Sequence, residues 1–223
     1  MPLNIAIDGP AGAGKSTIAR RCAKAIGFIY VDTGALYRAI AYHVISHGGA
    51  PCDASVVKSM LEKLEVSIRF VDDEQRVFLG SEDVSDKIRT PELSLGASAV
   101  SAIPEVREFL FEQQREIARN NNIIMDGRDI GTVVLPNADL KIFLTASAQE
   151  RATRRYDELI AKGQVVTYGE VLADVKLRDH NDSTRAIAPL KQAQDAILVD
   201  TTGNTLEQSI AHIESIIKEK LSV

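Results

Sequence analysis

Short apolar runs and stretches of helical periodicity alternate along most of this chain. Five runs predict strands, at residues 4–7, 28–31, 123–125, 140–144 and 196–199. Runs that are mostly apolar rather than alternating fit strands buried on both faces. Helical patterns separate them, so the runs are expected to form right-handed βαβ units of one parallel sheet. Behind the first run, Ile18, Ala19, Cys22, Ala25 and Ile26 recur at helical spacing. A second helix is predicted to open at Thr90-Pro91-Glu92, with Thr90 as N-cap and the proline in the first turn. A third spans 104–119, with Val106, Phe109, Leu110, Gln113 and Ile117 inward. Residues 147–162 are helical again, and a helix from about residue 169 buries Val171, Leu172 and Val175. The last covers 205–221, with Leu206, Ile210, Ile213, Ile216 and Ile217 inward.

One stretch breaks this rhythm. Residues 66–71 alternate apolar and polar, 72–75 read as a turn, and 76–79 form a second strand after it. A hairpin does not belong inside a purely parallel sheet. Residues 48–90 are therefore expected to form an inserted antiparallel subdomain. Residues 1–47 and 91–223 then make the core, an α/β fold with a five-stranded parallel sheet wrapped by helices.

The first candidate chemistry lies between the first strand and its helix. Gly9-Pro10-Ala11-Gly12-Ala13-Gly14-Lys15-Ser16 fits G-x-x-x-x-G-K-[ST], the phosphate-binding P-loop. Its glycines let backbone N–H groups turn inward around phosphate oxygens, and the helix N-terminus adds a positive dipole end. Lys15 is expected to reach the β- and γ-phosphates, and the Ser16 hydroxyl to serve Mg²⁺.

Composition narrows the classes without choosing among them. A net charge of −5 over 223 residues suggests no broad nucleic-acid surface. No run of apolar residues is long enough for a membrane span, and no secretory leader pattern opens the chain. Two cysteines without a C-x-x-C argue against a disulfide framework or a zinc site, so a cytoplasmic location is expected. Cys22 belongs to a helix face, and Cys52 carries no signal.

Four strand runs end in aspartate: Asp8, Asp32, Asp126 and Asp200. Ligands in open α/β sheets bind at the carboxyl ends of the strands. Asp200 and Asp8 are expected only to cap the loop or helix after them. Asp126 is a candidate for holding Mg²⁺, and the nearby Arg128 can fork onto a phosphate. Asp129 is then a free carboxylate, able to accept the N4 amine of a cytosine. Asp32-Thr33-Gly34-Ala35-Leu36-Tyr37-Arg38 places a helix N-terminus and an arginine near one anion. Arg151, Arg154 and Arg155 lie at i, i+3 and i+4 on one helix face, where a lid over the site would sit. Arg178, Asp182 and Arg185 share a face if their helix persists that far. Converging arginines suit phosphoryl transfer, because two anionic reactants must meet and water must be kept out.

Taken together, IDGPAGAGKST at 7–17, DTGALYR at 32–38, DGRDIGTVV at 126–134 and RDHNDSTRAIAPL at 178–190 resemble the bacterial-type cytidylate kinases. These are P-loop nucleoside monophosphate kinases. The likeness spans nearly the whole chain and implies ATP- and Mg²⁺-dependent phosphorylation of CMP and dCMP to the diphosphates, in pyrimidine nucleotide metabolism, by a cytoplasmic monomer. It implies that residues 48–90 are the monophosphate-binding insert and that a helical lid lies at about 147–168. Gly9 to Thr17 would hold ATP. Lys15, Arg128, Arg151, Arg154 and Arg155 would serve catalysis, and Ser16 and Asp126 the metal. Thr33, Tyr37, Arg38 and Arg128 would meet the acceptor and its phosphate. Ser98, Arg107 and Asp129 would read the cytosine edge. Arg178, Asp182 and Arg185 would contact the sugar and phosphate side. The chain departs from the family at His180 and Asn181, where members often carry more basic residues, and those two positions take no role.

Three rivals stand beside this reading. One is a kinase for UMP or AMP, which Asp129 argues against, since a carboxylate repels the O4 acceptor of uracil. Another is a small-metabolite kinase with a hydroxyl acceptor, which needs a carboxylate base such as Asp32 or Asp126. The third is a nucleotide-binding switch without transfer activity, which has no need of so many arginines.

Overall fold

The computed structural model describes residues 2–71 and 74–221. Strands β1 (Asn4–Asp8), β2 (Ile29–Asp32), β6 (Ile123–Gly127), β7 (Leu140–Thr145) and β8 (Ile197–Asp200) form the parallel sheet, in the order β2-β6-β1-β7-β8. Each of the five expected runs is a strand. The ladders continue further at their carboxyl ends than the apolar runs do, so that all four aspartates lie inside strands. The register sets Asp8 opposite Gly127 and Asp32 opposite Asp126. Two carboxylates are thereby brought side by side at one end of the sheet.

The strands bury both faces. Ile5 and Ile7 meet α1 (Lys15–Ile26) and α8 (Leu206–Leu221) through Ile18, Cys22, Ile213 and Ile217. Ala6, Val31, Ile123 and Met125 face the other side, against Ala118 and Ile117 of α5 (Pro104–Asn120). A further cluster joins α2 (Thr33–Ser46), α4 (Pro91–Ser101) and α5 to the insert. The insert holds a helix that periodicity did not announce, α3 (Ala54–Leu61), and a three-stranded antiparallel sheet of β3 (Val66–Val71), β4 (Glu74–Leu79) and β5 (Glu82–Asp83). Glu74 and Gln75, expected in the turn, belong to β4; residues 72 and 73 lie outside the described residues. Helices α6 (Ala148–Ala161) and α7 (Tyr168–Thr184) pack on each other around Ala152, Leu159, Val171 and Val175.

Three helix faces differ from expectation. Ala25 is exposed while Ala23 faces the core. Phe109 is 37% exposed, and α5 buries Arg107 and Gln114 beside the expected Val106 and Leu110. Leu206 is 40% exposed and lines the cleft that also holds Lys15. In the last two cases the buried or cleft-facing stripe includes positions chosen by the site rather than by apolar packing.

Candidate active site

The glycine loop connects β1 to α1 as predicted. Gly9 has φ +151°, and a Cβ there would lie 1.9 Å from the Leu144 carbonyl oxygen of β7. Only glycine lets the backbone pass so close to the neighbouring strand. Gly14, left-handed at φ 87°, is the N-cap residue of α1 and leaves the first N–H groups of that helix facing the loop. Lys15 is buried, and its Nζ donates to the Pro10 carbonyl at 2.8 Å. Burial pushes its pKa down to about 7, with Arg128 and Arg178 adding to the fall and Asp126 and Asp8 opposing it.

Ser16 Oγ donates to Asp126 Oδ2 at 2.9 Å, so the two expected metal residues meet across 110 positions of sequence. Burial raises the Asp126 carboxyl to about 6, with Asp32 pushing the same way and Lys15 against it. A hydroxyl and a buried carboxylate, with a second carboxylate beside it, fit a hard cation that takes its remaining ligands from phosphates and water. Among the described residues, no group of three or more His, Cys, Asp or Glu side chains forms a closed metal cage.

Asp200 caps the loop after it as expected, whereas Asp8 does not cap the segment that follows it. Asp200 accepts from Thr202 N at 2.9 Å, in the loop just after it. Asp8 accepts from Ile130 N at 2.8 Å and Gly131 N at 2.7 Å, far away in sequence. It thus anchors the π-helical turn Ile130–Val134 that begins directly after Asp129.

At the end of β2, Asp32 caps α2, accepting from Ala35 N at 3.0 Å. Its other oxygen holds Arg38 Nη2 at 2.8 Å. Thr33 Oγ1 donates to the Asp126 carbonyl at 2.8 Å. Arg107 stands over the ring of Tyr37, 5.8 Å from its centroid. Gln75 of the insert accepts from Asp32 N at 2.7 Å and donates to Asp32 O at 3.1 Å. This pair ties the small sheet to the edge strand of the large one.

Arg128 Nε donates to Asp182 Oδ2 at 2.8 Å, and Ser98 Oγ to Asp182 Oδ1 at 3.0 Å. Asp129 is not the free carboxylate expected. It is buried, in ion pairs with Arg107 and, at 3.3 Å, with Arg185. Burial raises its pKa, and Arg107, Arg185 and Arg128 pull it back. Ser98 therefore groups with Asp182. The hydroxyl beside the Arg107–Asp129–Arg185 group is Ser101, which accepts from Arg185 Nη1 at 3.0 Å. Sequence reasoning missed Ser101, though it stands one helical turn beyond Ser98 on α4. Helix α7 carries Arg178 and Asp182 to the same place, and Arg185 is its C-cap. Burial and the nearby Arg128 lower the Arg178 pKa to about 10, and its Nε has no hydrogen-bond partner among the described residues.

The three arginines of α6 all line the cleft but are held differently. Arg151 is buried and bidentate to Asp179 at 2.9 and 2.6 Å, with Ala11 O and Ala146 O each 2.9 Å from it. It joins the α6–α7 pair to the glycine loop. Arg154 donates to Glu150 at 2.8 Å and Thr201 O at 3.2 Å, and Arg155 to Glu158 at 3.0 Å. His180 and Asn181 are exposed.

A cleft of about 700 Å³ is lined by the glycine loop, Lys15, Ser16, Asp126 and the Arg107–Asp129–Arg185 group, while Asp8, Asp200, His180 and Asn181 lie outside its lining. It also reaches Arg89, Leu95, Asn204 and Leu206, none of which the sequence patterns single out as site residues. Glycine loop, adjoining carboxylates and arginines from four helices on one parallel sheet define a P-loop kinase. The match to known proteins is closer than that class. The description "Cytidylate kinase" fits residues 5–219, and the chain belongs to the cytidylate kinase family. A cytidylate kinase from Carboxydothermus hydrogenoformans is 51% identical over 99% of this chain and 100% of its own length. Those from Caldicellulosiruptor bescii and Lactiplantibacillus plantarum are 52% and 49% identical, covering 95% and 99% of this chain and 93% and 96% of their own. A solved structure of an uncharacterized protein from Eubacterium ventriosum superposes with a TM-score of 0.56 at 13% identity, over 98% of this chain and 99% of that one. That likeness speaks for the fold alone.

Proposed function

We propose that this chain transfers the γ-phosphoryl group of ATP to CMP and dCMP, with Mg²⁺, as a cytoplasmic monomer. The observation that carries the reading is the meeting of Lys15, Arg38, Arg128 and Arg178 with a buried Arg107–Asp129–Arg185 group in one cleft. The first set suits two phosphate chains brought end to end. The second suits a cytosine edge, because a carboxylate can accept the N4 amine while the guanidinium groups donate to the ring acceptors. A carboxylate has about four acceptor sites, so Asp129 can serve both arginines and a base.

In this reading residues 9–17 wrap the donor phosphates with backbone N–H groups, and Lys15 leaves the Pro10 carbonyl for them. Ser16 and Asp126 would hold Mg²⁺, which supplies charge neutralisation to the transferred group. Leu206 and Asn204, which also line the cleft, would meet the donor base. Residues 48–90 serve as the monophosphate-binding insert and 147–168 as the lid. Thr33, Tyr37, Arg38 and Arg128 take the acceptor phosphate side. Arg178, Asp182 and Ser98 take the sugar side. Arg154 and Arg155 are the lid arginines that would exchange their partners Glu150 and Glu158 for phosphates, and Arg151 serves through its hold on Ala11. The acceptor phosphate is close to doubly ionised at neutral pH, with a second pKa of about 6, so no general base is required. Catalysis is then positioning, charge and the exclusion of water. No described helix is long and apolar enough to cross a membrane.

The direct test is ADP release with ATP and Mg²⁺, run in parallel with CMP, dCMP, UMP and AMP. Release with CMP and dCMP, and little with UMP or AMP, is the expected result. Release with every acceptor would keep the kinase and remove the base-reading role of Asp129; release with none would overturn the proposal. A second expectation concerns Lys15. At about pH 8 an amine with pKa about 7 is mostly neutral in the free enzyme, and neighbouring phosphates restore its charge. ADP binding should therefore take up protons, seen in calorimetry as a dependence of the heat on the buffer's ionisation enthalpy. A buffer-independent heat would contradict it.

A further inference from the structure

Tyr30 stands behind the cleft rather than in its lining. It sits in β2 with its backbone opposite Ile124 of β6. Its ring is buried in the apolar layer that also holds Ile18, Cys22 and Ile124. The Arg20 guanidinium closes over the ring, 5.3 Å from its centroid. Packed on both sides, the ring aims its hydroxyl along the sheet toward the carboxyl end. There the phenol oxygen donates to Asp126 Oδ1 at 2.9 Å. The other oxygen of the same carboxylate, Oδ2, takes the Ser16 hydroxyl at 2.9 Å. The two hydrogen bonds are of equal length and divide the carboxylate, one oxygen for the interior and one for the glycine loop.

We propose that Tyr30 is a positioning residue for the metal-binding carboxylate. By occupying Oδ1 from behind, it holds the plane of Asp126 so that Oδ2 faces Ser16. The inference rests on the reading of Ser16 and Asp126 as the Mg²⁺ residues. Outer partners that orient a ligand contribute strongly to metal affinity, and losing one weakens binding by about 10- to 100-fold. A phenol that merely fills the core and finds the nearest acceptor has no such consequence. A further feature favours the positioning role. Tyr30 and Asp126 lie on neighbouring strands, so their separation is set by the sheet rather than by a loop. Rigid elements are where an orienting contact is most effective.

Tyr30→Phe keeps the ring, its apolar packing and the Arg20 contact, and removes only the hydroxyl. The primary measurement is binding of Mn²⁺ to the enzyme–ADP complex, monitored by the loss of the free-ion electron paramagnetic resonance signal. The second is the Mg²⁺ concentration giving half-maximal turnover, with KM for CMP determined at saturating Mg²⁺. The expected result is metal affinity lowered about 10-fold or more, a parallel rise in the Mg²⁺ requirement, and an unchanged KM for CMP. Unchanged metal affinity in Tyr30→Phe, beside ADP-dependent Mn²⁺ binding by the unaltered enzyme, overturns this inference alone. A rise in KM for CMP as large as the loss of metal affinity would also overturn it, because it would mark general loosening. If the unaltered enzyme itself shows no ADP-dependent Mn²⁺ binding, the metal reading fails and this inference with it.

Discussion

Replacing Arg128 with alanine is expected to lower kcat by about a thousand-fold or more, the range in which arginines at transferring phosphoryl groups act. ADP is expected to bind the variant nearly as before, because the P-loop, Lys15 and Ser16 do not depend on this side chain for their hydrogen bonds. Arg128 stands at the carboxyl end of β6, between the donor loop and α7, with Nε fixed by Asp182 at 2.8 Å. Its removal does not strand Asp182, which keeps the Ser98 hydroxyl at 3.0 Å. The loss therefore falls on the reaction rather than on the fold. Arg128→Lys tests geometry separately from charge. It restores the positive charge without the planar fork, so its rate should lie between alanine and wild type. Steady-state rates with CMP, together with calorimetry of ADP binding, decide the matter. Turnover by Arg128→Ala near the wild-type rate would remove Arg128 from the reaction. An equal loss of ADP affinity would move it from the reaction to the donor site.

What the sequence disclosed depended on how far apart the interacting residues lie. The P-loop, the Asp32 to Arg38 cluster and the Asp126 to Gly131 cluster are continuous, and each comes directly after a strand whose apolar run is plain. Their place in the site could be read from strand ends alone. Partnerships across the chain left no periodic trace. Asp8 reaches Ile130 and Gly131, Arg151 reaches Asp179 and Ala11, and Gln75 of the insert clasps the backbone of Asp32. The inner face of α5 is only partly legible for a related reason: Val106 and Leu110 are buried as their spacing predicts, and Phe109 is not. Hydrophobicity selected Phe109, yet the helix turns Arg107 and Gln114 inward to meet Asp129 and the Tyr37 region. A buried polar residue looks like a surface residue until its partner is known. The same holds for Asp129, expected to be free because nothing near it in sequence suggested that Arg107 and Arg185 would surround it.

That enclosure makes Asp129 the residue with the largest combined effect. Asp129→Ala is expected to destabilise the protein by about 3–5 kcal/mol, as removing one partner of a buried ion pair does. Arg107 and Arg185, both nearly inaccessible, would be left facing each other without a counter-charge. For a chain of this size the melting temperature should fall by about 10 °C. Selectivity should fall too, and by a separate route. A hydrogen bond between a charged carboxylate and the N4 amine contributes about 1.5–3 kcal/mol, so kcat/KM for CMP should drop by about 10- to 100-fold. UMP, which presents an acceptor where CMP has that amine, has no such bond to lose. Asp129→Asn separates the two effects. It keeps the size and one acceptor oxygen, but its amide group can donate to the O4 of uracil, so its preference should move toward UMP while much of the packing survives. Rates for CMP and UMP measured well below the variants' melting temperatures give the selectivity, and thermal unfolding gives the stability. A lower melting temperature with equal proportional losses for the two acceptors would make Asp129 a structural counter-ion only. A shift in the CMP to UMP ratio with little change in melting temperature would mean that the arginines find other partners and that the carboxylate serves the base alone.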